Sequence, residues 1–168
     1  MSLSKADRTE NIELALSLIF TALGSRSIRM FPINRSDPHY AQVFRTTWLE
    51  LIQHGHVSDL KMRPFYVLTV PGWVACLELN GTLESSKFKE ELGVLCSKIK
   101  DANPGRNQLA VASVTDIARL SGLDEGVIAN IIDARLIERC LNRYGPVWLP
   151  KMEGKLLQVP ANFGLERI

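Results

Sequence analysis

The segment from Thr115 to Ile137, TDIARLSGLDEGVIANIIDARLI, constrains the fold of this chain more than any other. Two short apolar-periodic runs meet at a glycine. Ile117 and Leu120 recur at helical spacing in the first run, and Val127, Ile128, Ile131 and Ile132 do so in the second. Ala118 is small where a second helix would cross the first, and Gly122 tolerates the positive φ of a tight turn. Leu123 is expected to plug the corner. Asp124 follows as an N-cap whose carboxylate meets unpaired backbone N–H groups. The pattern predicts two short helices packed across a tight turn, with Ile117 and Leu120 both facing inward.

That spacing is the spacing of a helix-turn-helix, and these residues resemble the helix-turn-helix core of winged-helix proteins, a family dominated by DNA-binding regulators. It also fits an ordinary αα corner in a helical domain. The surrounding residues extend the resemblance. From Ser85 to Asp101, Phe88, Leu92, Leu95 and Ile99 share one helical face, which Asn103-Pro104-Gly105 ends. Leu109 to Val114 reads as a small strand. After the helix pair come three strand candidates, Leu136 to Leu141, Val147 to Leu149 and Leu156 to Val159, with turns at Asn142 to Gly145 and Glu153-Gly154. Helix, strand, two helices and a hairpin is the winged-helix order.

The first half reads similarly. A helix starting near Asp7 or Thr9 carries Ile12, Ala15, Leu16, Ile19, Phe20 and Leu23 on one face and ends at Gly24. An extended piece covers Ile28 to Ile33. Ser36-Asp37-Pro38 starts a second helix that buries Ala41, Phe44, Trp48, Leu51 and Ile52 and closes at Gly55. Val57 to Leu60 and Phe65 to Leu68 then form a hairpin across Lys61 to Pro64, and Thr69 caps a short helix with Trp73, Val74 and Leu77 that Asn80-Gly81 terminates. The run HGHVSDLKMRPFYVLTVPGW resembles the strand, wing, strand and final helix of many winged-helix regulators. A clear helix-turn-helix is missing from this half. The expected fold is therefore mainly α with small β-hairpins (α+β), as two winged-helix-like domains in tandem, 1–81 and 82–168.

Composition closes off other classes. The 168 residues are 46% hydrophobic and 23% charged, ordinary for a folded globular chain. No apolar run reaches a membrane span, and MSLSKADRTEN lacks the apolar stretch of a secretory signal, so the expected location is cytoplasmic with no membrane partner. Cys76, Cys96 and Cys140 are odd in number, far apart and set among apolar neighbours, which points to reduced core residues. His54 and His56 flank Gly55 without a Cys or carboxylate cluster to complete a zinc site, and His39 has no serine or cysteine motif to pair with. There is no phosphate loop, dinucleotide fingerprint or nucleophile elbow. The sequence points to a protein that is not an enzyme and needs no cofactor or metal.

A net charge of +2 does not announce a polyanion partner, so its placement matters more. Asp and Glu balance Lys and Arg from Ser113 onward, whereas Arg26, Arg29, Arg35 and Arg45 face only Asp37 in the first half. The resemblance implies that the helix from Asp124 to Arg135 would enter the major groove of double-stranded DNA. Asn130 is then a candidate adenine reader, and Arg119 and Arg135 candidates for guanine or phosphate. Lys61 and Arg63 on the first wing, Arg143, Arg139, Lys151 and Lys155 along the second, and Arg26, Arg29 and Arg35 are candidates for phosphate. Against this stand Asp124, Glu125 and Asp133 on the same helix. The expected function is that of a non-enzymatic DNA-binding regulator or accessory factor. The alternative is a protein-interaction adaptor without DNA binding, for which Trp73, Trp148, Tyr144 and Phe163 are candidate anchors. The resemblance also implies a homodimer as an option.

Overall fold

The computed structural model describes residues 5–23, 30–32, 47–59, 65–102, 110–141, 149–160 and 163. The chain is mainly helical with small antiparallel sheets, and it divides into two compact units, Met1–Thr82 and Leu83–Ile168.

In the first unit, helix α1 spans Lys5–Leu23. It begins before Asp7 and Thr9, since neither glycine nor proline interrupts the run from Lys5. Strand β1 (Met30–Pro32) follows, then helical residues 47–53 (α2), strands β2 (Val57–Asp59) and β3 (Phe65–Leu68), and helix α3 (Val70–Leu79). The strand order is β1-β3-β2, with Met30 opposite Val67 and Val57 opposite Leu68. The Ser36 start of the second helix, the wing turn Lys61 to Pro64, Ala41 and Phe44 lie outside the described residues. Ala15, Leu16 and Ile19 from α1, Leu51 from α2, Val57, Leu68, and Trp73, Cys76 and Leu77 from α3 form the core. The Cys76 thiol donates to the Leu16 carbonyl at 3.4 Å, which ties α3 to α1.

The second unit runs helix α4 (Ser86–Asp101), strand β4 (Ala110–Ser113), helices α5 (Val114–Ser121) and α6 (Glu125–Asp133), a 3-10 turn (Leu136–Cys140), and strands β5 (Lys151–Glu153) and β6 (Leu156–Val159). Its strand order, β4-β6-β5, repeats the pattern of the first unit. Ser85 caps α4 through the Phe88 amide, and Phe88, Leu92, Leu95 and Ile99 are buried as their spacing requires. Ile117, Val127, Ile128, Ile131, Ile132, Leu157 and Val159 complete this core. Each fully buried aliphatic side chain of this kind contributes about 1.5–3 kcal/mol.

Two strand assignments change. Leu136 to Leu141 is not a strand: a strand would send adjacent residues to opposite faces, whereas Leu136 and Ile137 are both buried, as a helical turn allows. The strand paired with β6 is Lys151–Glu153, whose charged ends both point to solvent and hide its period. Val147 and Trp148 lie outside the described residues.

Candidate functional site

The α5–α6 corner is built as its residues dictate. Ser113 caps α5 through the Asp116 amide, and Gly122 ends the helix at φ 74°, a left-handed conformation that a β-carbon disfavours. The Gly122 amide returns to the Ala118 carbonyl at 2.8 Å. Asp124 then caps α6, accepting from the Gly126 amide at 2.8 Å. Thr115 at the start of α5 donates to the Glu125 carboxylate at 2.7 Å, so a side-chain bond also joins the two helices.

The outward side of this corner differs from the expected one. Leu120 does not face inward: it is 55% exposed on α5, beside Asp116 and Arg119. Eight residues of α5 offer only a narrow inner stripe, which Val114 and Ile117 fill. Asn130 is buried at 5% exposure, because α6 is covered on the side where Val127, Ile131 and Asn130 fall one turn apart. It is not available at the surface to meet a base edge. Arg135 lies beyond the end of α6, in a left-handed conformation at φ 57°. Its guanidinium donates to Glu138 at 2.6 Å. Arg119 donates to Asp116 at 3.2 Å, and Arg139 reaches Glu84 at 3.2 Å. The hydrogen bond and charge of Lys89, with further help from Arg139, hold the exposed Glu84 carboxyl below its usual range. The corner therefore shows solvent an exposed leucine among carboxylates, and its arginines are engaged with acidic neighbours.

Lys151 and Lys155 are exposed on the β5–β6 hairpin. Arg26, Arg29, Arg35, Lys61, Arg63, Arg143, Tyr144 and Trp148 lie outside the described residues. Trp73 and Phe163 are buried core residues and cannot serve as exposed anchors. Among the described residues no group of three or more His, Cys, Asp or Glu side chains is placed to hold a metal ion. No described helix is long and apolar enough to cross a membrane.

The first unit contains a site the sequence did not single out. Between α1 and α3 lies an open groove of about 480 Å³, lined also by His54 and His56 from the turn around Gly55. Ile12, Leu16 and Leu79 line it with apolar surface, while Glu13 and Glu78 bring carboxylates from the two helices. The turn is held firmly. Gly55 takes φ 70°, the Thr69 hydroxyl donates to the Gly55 carbonyl, and the Thr69 amide donates to the His56 carbonyl at 3.0 Å. Gly72 in the first turn of α3 packs directly on that carbonyl, leaving no space for a β-carbon. The two imidazoles stack with centroids 6.0 Å apart. Burial, and then the charge of His54, hold the His56 imidazole below its ordinary value. The only sequence signal for this groove was an interruption: Thr9 and Glu13 sit within the apolar helical stripe of Ile12 and Leu16.

No protein-family model, no curated protein and no solved structure matches the chain.

Proposed function

We propose that this chain is a non-catalytic interaction protein of two winged-helix-like units, and that the α5–α6 corner of the second unit docks a protein surface. The observation that carries the reading is Leu120, 55% exposed on α5 one turn after Asp116, in a corner whose second helix opens with Asp124 and Glu125. An exposed leucine ringed by polar groups suits an anchor that a partner pocket covers, with the carboxylates selecting a basic rim. Groove entry into duplex DNA is disfavoured at the same place. Its leading end is acidic, Asn130 is buried, and Arg119 and Arg135 are engaged with carboxylates. The winged-helix element of the proposal is supported by chain order, helix, strand, two helices and two strands, together with the sheet order β4-β6-β5.

DNA binding as a regulator or accessory factor is the second reading, favoured by exposed Lys151 and Lys155 on the hairpin, a usual means of gripping backbone phosphate. Fluorescence anisotropy with mixed-sequence duplex DNA across a salt series separates the two. The docking reading expects no saturable binding near physiological salt. A steep negative salt slope, about −0.9 per neutralised phosphate, would replace it with the DNA reading. In the source cells, a photo-crosslinker at Leu120 should give one dominant protein adduct that charge reversal of Asp116 weakens.

A further inference from the structure

We propose that the groove between α1 and α3 binds a small organic cation, an ammonium or amidinium group on an apolar body, with Glu13 and Glu78 taking the charge. The proposal concerns the first unit and stands independently of the docking role of the second.

Size comes first. The groove, about 480 Å³, falls within the range of about 300–1,000 Å³ typical of small-molecule sites. Its residues follow helical spacing on both walls: Ile12, Glu13 and Leu16 on α1, and Ala75, Glu78 and Leu79 on α3. Each wall thus offers apolar surface with one carboxylate beside it, a lining that suits an apolar body carrying a charged tip.

Charge decides the sign of the ligand. Among the described residues, Glu13 and Glu78 are exposed and make no ion pair, and no lysine or arginine lines the groove. An anion would meet two unscreened carboxylates. A cation would meet two acceptors, and its apolar body would cover Ile12, Ala75 and the exposed Leu79. A metal ion fits poorly, since no three of the described His, Cys, Asp and Glu residues converge as ligands.

The histidine turn adds a further mark. His56 Nδ1 is buried without a hydrogen-bond partner, in a turn that Gly55, Thr69 and Gly72 hold in place. Unsatisfied buried polar atoms are rare in folded proteins, and each calls for an explanation such as local strain, a bound ion or a water. The two imidazoles share the groove lining with the two carboxylates.

The test is an amide NMR titration of the full chain with phenethylamine, with phenethyl alcohol as the uncharged match. The amine should shift residues of α1, the His54 to His56 turn and α3 saturably, and bind about fivefold more tightly than the alcohol, as two partly exposed charge contacts allow. The double variant Glu13→Gln with Glu78→Gln should remove that preference and leave the weak binding of the alcohol unchanged. Both sites are exposed, so the variant is expected to keep the wild-type spectrum elsewhere. Equal affinity for amine and alcohol, shifts scattered outside the groove, or no saturation at millimolar amine would each overturn the proposal.

Discussion

The two units repeat one sheet order around different kinds of helix contact. In the second, α5 and α6 bury aliphatic side chains, Val114 and Ile117 from one and Val127, Ile128, Ile131 and Ile132 from the other, and the turn between them is short. In the first, α3 closes on the preceding turn by backbone approach, Gly72 against the His56 carbonyl, and leaves a groove beside α1. A misfit in an aliphatic contact can be taken up in part by side-chain repacking, whereas a β-carbon set against a backbone carbonyl forces the backbone to shift. The second unit thus buries the contact between its paired helices while leaving Leu120 exposed, whereas the first retains a concavity beside α1.

Mutations separate the two modes. The largest effect is expected from Ile128→Ala, which truncates a fully buried side chain of α6 and should cost the second unit about 2–5 kcal/mol in urea unfolding. Amide exchange should then rise in 83–168 and stay unchanged in the first unit. Gly72→Ala is the mirror experiment. A β-carbon there would stand 2.0 Å from the His56 carbonyl oxygen, so a loss of about 3 kcal/mol confined to the first unit is expected. An equal loss in both units would remove the contrast. Asp124→Ala should cost about 1 kcal/mol by freeing the Gly126 amide, read from the urea midpoint of the second unit.

Acid should act on the first unit. Because the folded His56 sits below its ordinary value of 6.5, its contribution is complete above that pH and is lost as pH falls through the lower folded value, when the unfolded chain takes up the proton first. A thermal midpoint that drops between pH 7 and 5, with a smaller drop in His56→Gln, checks this. The smallest effect belongs to Arg135→Gly. It relieves the left-handed conformation at φ 57° but removes the Glu138 ion pair, for a net stabilisation of about 0.5 kcal/mol.

Much of the helical framework was legible because caps and apolar periods are local. Thr69, Ser85 and Asp124 each cap the helix they precede, and Val127, Ile128, Ile131 and Ile132 are all buried. Leu120 was misread because periodicity gives a stripe but not its width, which depends on what the other elements cover. Asn130 was misread for the reverse reason, since a polar residue in a short helix reads as solvent-facing until something is known to pack on it. The strand Lys151–Glu153 escaped because two of its three residues are charged and exposed. The groove escaped because Glu13, His54, His56 and Glu78 are distant in sequence and only the packing of α1 beside α3 brings them together.

The buried thiols have a kinetic use. Burial pushes the Cys76 thiol up to about 12, and its proton is shared with the Leu16 carbonyl, so the reactive thiolate forms only after α3 separates from α1. Cys96, buried in α4, is held in the thiol form in the same way. Alkylation at neutral pH, followed residue by residue, would therefore time the opening of the first unit at Cys76 and of the second at Cys96, two stopwatches carried within one unlabelled chain.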